Sequence, residues 1–258
     1  MKMPVVFIGH GSPMNALLEN ENTQNWRNLG QKIKPKAILA ISAHWYGKDI
    51  RLSHSDEKLE QIYDMYGFPK ELYELKYSPR SNAKLASHVQ SLLKDFNVKM
   101  DNSWGIDHGL WSVLCKMYPS ADIEVVVMSV ALDLPMKRQF ELGKALRALR
   151  DEEILIFASG NIVHNLSLMH PNYENKAFEW TLNFDEFIKK AVLEKDYESI
   201  LNFEQSPFFD QRCFASLEHF LPFINALGAS TKEDPISVFN QNYNYGSVSM
   251  TSYLWGEL

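Results

Sequence analysis

The chain has 258 residues, enough to bury a substantial core, with 45% hydrophobic and 22% charged residues. Its net charge is −6 and no Lys/Arg cluster is interleaved with aromatics, which argues against a nucleic-acid surface. No apolar run approaches the roughly 20 residues that span a bilayer, and the first one is too short for a signal peptide. The two cysteines, Cys115 and Cys213, have no ligand spacing and fit a reduced, cytoplasmic chain.

In chain order, residues 5–8 read as a short buried strand and 22–33 as a helix. Residues 37–45 are a second apolar strand, and 49–55 alternate as a strand exposed on one side. Apolar spacings of three and four predict helices over 82–96 and 108–118. Residues 123–130 are the clearest strand in the sequence. A helix over 135–150 opens with Pro135 at its first position. Residues 154–160 form another buried strand, 176–194 and 216–227 are helices, and 246–255 are a last strand. The strand-poor stretches 56–81 and 165–176 are candidate loops over a site. Continuous apolar strands alternating with amphipathic helices predict an α/β fold, with a largely parallel central sheet flanked by helices.

Of the eight histidines, three fall just past the ends of apolar strands. His10 follows the first strand between two glycines, His44 closes the second in "ISAHW", and His164 follows "ILIFASGN". Ligands of open α/β sheets bind beyond the carboxyl ends of the strands, so parallel neighbours would bring these imidazoles to one crevice. Neutral nitrogen donors on rigid elements are what a metal site requires. His108 starts a helix, where the dipole disfavours its protonated form; it suits an acid, base or hydrogen-bond role, with Asp107 beside it as the better cap by type. His219 falls in the first turn of a helix with Ser216 as N-cap, either in the core or as a fourth ligand. His54, His88 and His170 lie in polar or amphipathic settings and read as ordinary surface residues. No nucleophile elbow, phosphate loop or dinucleotide fingerprint is present.

"GHGSPMN", "SAHW", "YDMYGFPKELYELKY", "WGIDHGLWSVLCKMYP" and "ASGNIVHNL" occur in that order. Together they resemble the LigB-like extradiol ring-cleavage dioxygenases, specifically the 4,5-DOPA dioxygenase branch, over nearly the whole chain. The resemblance implies one catalytic domain over residues 1–258, a single divalent metal held by histidines, and cleavage of a catechol ring beside its diol with O2. Carried over by position, His10, His44 and His219 match the metal-binding histidines. His164 matches a position that is a further ligand in some members and the acid/base in others, and His108 matches a second active-site histidine. Met65 departs from the aromatic residue of many relatives. Fe(II) is the expected metal for ring cleavage and Zn(II) the expected metal as isolated. The partners are then a small catechol and O2, with no nucleic acid and no membrane; Trp45, Phe68 and Trp111 are candidates to pack on the ring. The same histidines leave open a zinc-dependent hydrolase and a non-enzymatic metal-containing interaction protein.

Overall fold

A computed structural model of the chain describes residues 2–258. Its elements are β1 (Val5–Gly9), α1 (Glu21–Lys32), β2 (Ala37–Gly47), β3 (Ile50–Leu52), α2 (Lys70–Glu74), α3 (Ala83–Leu92), β4 (Val98–Met100), α4 (His108–Met117) and β5 (Glu124–Ala131). They continue with α5 (Met136–Ala145), β6 (Ile154–Gly160), α6 (Glu179–Leu193), α7 (Tyr197–Leu201), α8 (Leu221–Ala229), β7 (Ile236–Phe239), β8 (Tyr243–Asn244), β9 (Val248–Ser249) and β10 (Ser252–Trp255). Eight strands form one sheet in the order β4-β3-β5-β2-β6-β1-β10-β7, and β8 pairs with β9 separately. The central strands β5, β2, β6 and β1 are parallel, while β10 runs antiparallel to β1 and β3 antiparallel to β5.

The central strands are apolar throughout because both of their faces are covered. Val5, Phe7, Leu39, Ile41, Val126 and Ile156 pack on one side with Leu85 of α3, Leu142 of α5, Phe184 of α6 and Phe223 of α8. Val6, Ile8, Ile38, Val127 and Phe157 pack on the other with Trp26 and Leu29 of α1 and Leu110 and Leu114 of α4. Each such fully buried side chain contributes about 1.5–3 kcal/mol, and the result is a helix–sheet–helix sandwich. Capping is equally local: the Asn20 side chain accepts from the Thr23 N–H while Thr23 Oγ1 accepts from the Asn20 N–H, which closes the start of α1.

Several predicted elements are shorter or broken: the strand over 49–55 is only Ile50–Leu52, and the helix over 82–96 ends at Leu92. The helix over 135–150 stops at Ala145, and residues 147–152 continue as 3₁₀ turns ending at Glu153 with φ 63°. The helix over 216–227 is a 3₁₀ turn, Leu217–His219, followed by α8 (Leu221–Ala229). Pro222 is the cause: it has no N–H to donate and is tolerated only in a first turn, so α8 starts beside it. The strand over 246–255 divides into β9 and β10, separated by Met250 and Thr251, where the Met250 N–H turns away to the Asn242 carbonyl. Partly exposed β4 and β7, at three and four residues, are too short to show a period in the sequence.

Because β2, β6 and β1 are parallel neighbours, their carboxyl ends share one edge of the sheet. His10 leaves β1 there, and Gly11 at φ 59° turns the chain at once. In β2 the pairing with β5 jumps from Ser42–Ser129 to Tyr46–Val130, so residues 43–45 bulge and His44 is re-aimed. At the end of β6, the Gly160 carbonyl accepts from the His10 N–H at 3.2 Å and the Asn161 N–H donates to the His219 carbonyl at 2.9 Å. A Cβ on Gly160 would run into that same carbonyl oxygen. Gly160→Ala is therefore expected to lower stability by about 3 kcal/mol. Urea unfolding checks this; an unchanged midpoint would mean that the His219 turn yields freely.

Candidate metal centre

Three imidazoles from three elements meet at this edge: His10 after β1, His44 in the bulge of β2 and His219 in the turn before α8. One nitrogen of each lies within 4.8 Å of the others. His10 Nε2 and His44 Nε2 are 3.2 Å apart, and His219 Nε2 is buried without a hydrogen-bond partner. The other nitrogen of each ring is held. Ser159 Oγ donates to the Gly109 carbonyl at 2.5 Å, so it meets His10 Nδ1 at 2.9 Å as an acceptor. His44 Nδ1 donates to Asp64 Oδ2, and His219 Nδ1 lies 3.1 Å from Glu218 Oε1. Each Nδ1 is thus engaged by its own partner, so in the neutral form of each ring the lone pair is on Nε2. Held second nitrogens of this kind are what orient histidine ligands in metal sites. His10 Nε2 and His44 Nε2, 3.2 Å apart, are close enough to share a proton or a cation. The residues fit a divalent metal on these grounds.

His108 and His164 flank this group. The His108 ring stands edge-on to His44 with centroids 4.0 Å apart, and its Nδ1 lies 3.0 Å from Asp64 Oδ2, out of line for a hydrogen bond. His164 stacks on His219 with centroids 3.5 Å apart, and it groups with Glu218 and His219 rather than with the first three nitrogens. Burial holds His10 and His219 well below the ordinary histidine value, and the neighbouring imidazoles add to the effect. Burial takes His164 down to about 3 and lowers His108 as well. In His44 burial is outweighed by the Asp64 hydrogen bond and the charges of Asp107, Asp64 and Glu218, so its pKa is raised. Burial alone would raise Asp64, but contacts with His108 and His44 hold it far below the ordinary carboxylate range.

A family model described as the catalytic LigB subunit of aromatic ring-opening dioxygenase matches residues 4–255. The chain belongs to the LigB family. It is 37% identical to the 4,5-DOPA dioxygenase extradiol of Escherichia coli (strain K12), over 97% of this chain and 94% of that one. Its identity to the Beta vulgaris protein of the same name is 34%, over 96% and 94% of the two chains. A crystal structure of an uncharacterized Escherichia coli K12 protein superposes with a TM-score of 0.85 at 34% identity, covering 99% of this chain and 100% of that one. The chain is accordingly an enzyme of the extradiol dioxygenase type, with a histidine and carboxylate cluster suited to the metal on which LigB enzymes depend. No helix among the described residues is long and apolar enough to cross a membrane.

In this LigB chain the site also uses residues that sequence reasoning passed over. Asp64 sits in the stretch 56–81, inside the quoted "YDMYGFP", and its Oδ1 accepts from the His108 N–H at 3.0 Å. It therefore caps α4 in place of Asp107, whose side chain makes no capping bond. Glu218 turns toward His219, which adjacent positions on a regular helix would not allow. Ser159 had a signal: it is a polar residue at the end of an otherwise apolar strand. Trp45 and Trp111 belong to the apolar core, and Phe68 packs against it. His54, His88 and His170 bond to Ser87, Glu152 and the Asn172 N–H at the surface.

Neutral buried histidines tie stability to pH. Their folded pKa values lie below the unfolded value of about 6.5, so the unfolded chain takes up protons first as pH falls. Stability is fully present above that value and is lost below it, by about 1.4 kcal/mol per pH unit for each of His10, His164 and His219. The melting temperature of metal-free protein, followed from pH 7.5 to pH 5, should fall steeply below about 6.5; a flat profile would contradict neutral burial.

Proposed function

We propose that this enzyme opens a catechol of the DOPA type beside its diol, with O2, to a muconic semialdehyde of the seco-DOPA kind. The observation that carries the proposal is the convergence of His10, His44 and His219, one nitrogen of each within 4.8 Å of the others, with the Nδ1 of each ring engaged. In this reading, residues 1–258 act as one catalytic domain. His10, His44 and His219 hold one divalent ion, Fe(II) for turnover and Zn(II) after preparation in air. When bound, the ion would supply Lewis acidity and, as Fe(II), redox chemistry toward O2. The names of the Escherichia coli and Beta vulgaris relatives favour DOPA as the substrate class.

The chain's own residues then handle protons and charge. His164, held neutral down to about pH 3 by burial, is available to take a proton from a catechol hydroxyl. Stacking on His219 keeps its ring beside the metal-binding set, so we assign it the acid/base role rather than a place as a fourth ligand. His108 is lowered by burial and stands beside His44, where a neutral ring can hydrogen-bond negative charge that develops on the substrate. Asp64 keeps the Nδ1 proton on His44 and fixes the start of α4, which holds both rings in place.

Two measurements test this. Protein stripped of metal and reloaded without oxygen should form a yellow semialdehyde from DOPA and O2 with Fe(II), and none with Zn(II). Absence of product from any catechol under either metal, with ester or amide hydrolysis under Zn(II), would replace the proposal by a zinc hydrolase. His108→Phe should lower turnover by roughly 10²-fold while metal content stays unchanged; full activity in that variant would make His108 a structural residue.

A further inference from the structure

Asp107 precedes His108 and is the N-cap residue of α4, yet its carboxylate turns away from the helix. Fully buried, its Oδ2 accepts from Ser42 Oγ at 2.6 Å and from Trp104 Nε1 at 3.0 Å. Ser42 Oγ lies 3.1 Å from the His44 backbone nitrogen and accepts its N–H. The single hydroxyl proton of Ser42 goes to Asp107, so the oxygen meets His44 with a lone pair, and the three groups form a directed chain. Ser42 is also the last residue of β2 in register with β5 before the bulge. The backbone N–H of the displaced residue is thus held by a side chain that Asp107 in turn orients.

The arrangement is a poor choice for stability alone. Asp107 gives up a capping bond of a kind that Asp makes well, and its buried Oδ1 has no hydrogen-bond partner in the protein. A buried carboxylate with unsatisfied oxygen is costly to a fold. What it obtains in return is control of where the bulge points. We propose that Asp107 is a positioning residue of the metal centre: acting through Ser42, it sets the bulge that aims His44 Nε2 toward His10 Nε2. This rests on the reading of His10, His44 and His219 as the metal-binding set.

The test uses the full chain and two probes, Zn(II) affinity by competition with a chromophoric chelator and the ligand-field spectrum of the Co(II)-loaded protein. Ser42→Ala and Asp107→Ala should each weaken zinc binding by about 10–100-fold and change the cobalt spectrum. The double variant should lose little more than either single one, because the two residues act as one relay. Both donors reach the same oxygen, so Asp107→Asn can present its carbonyl there; it should recover most of the affinity and the wild-type spectrum. Should Asp107→Ala fail to fold, Ser42→Ala and Asp107→Asn carry the test. Wild-type affinity and spectrum in Ser42→Ala, or fully additive losses in the double variant, would overturn the proposal. Wild-type protein that takes up neither zinc nor cobalt would remove the ligand assignment itself, an outcome distinct from variants that bind as wild type does.

Discussion

Two imidazole nitrogens 3.2 Å apart, each on a ring whose other nitrogen is already engaged, are the constraint around which this molecule is arranged. Ser159 and Asp64 decide the tautomers of His10 and His44, and Glu218 lies against His219 Nδ1 in the same way. The rings are held by rigid supports: two parallel strand ends, a bulge and the turn before α8. Loss of any support would let the rings separate.

The end of β6 serves as the hub. Gly160 and Asn161 bond the backbones of His10 and His219, and Ser159 holds the ring of His10, so three consecutive residues fix two of the three imidazoles. Strands of a parallel sheet are among the least mobile elements of a protein, because both faces are packed. A site hung on their ends has little freedom to adjust, which suits chemistry that depends on bringing a ring and a second reactant together.

Around the neutral imidazoles stand three carboxylates, Asp64, Asp107 and Glu218, none of which belongs to the set of three nitrogens. Their charge raises His44 and favours a cation at the centre. Asp64 and Asp107 have also exchanged expected duties. Asp64 reaches from a distant loop to cap α4, while the residue at the cap position reaches into β2. Helix start and strand bulge are thereby coupled, and with them His108 and His44.

Much of this was written in the sequence. Runs such as "VVFI", "AILAI", "VVVM" and "ILIFA" require burial on both faces, and burial on both faces requires helices on both sides of a parallel sheet. His10, His44 and His164 stood at strand ends on the strength of hydrophobic pattern alone, and the ordered motifs led to the LigB family. Pattern could not say that β2, β6 and β1 are adjacent, since strand order depends on how crossovers pack rather than on any one segment. Pro222 marked locally where the helix over 216–227 must restart, but only packing could show that the turn before it meets β6 through the His219 carbonyl. The carboxylates were hidden for a related reason. Asp64, 20 residues from His44 and 44 from His108, acquires its role only when the loop folds over the sheet edge. Asp107 reads locally as a cap, and only the proximity of Ser42, 65 residues away, turns it inward. Local sequence determines which elements form and which side chains they carry; long-range packing alone decides which polar atoms meet, because those meetings join segments that share no period.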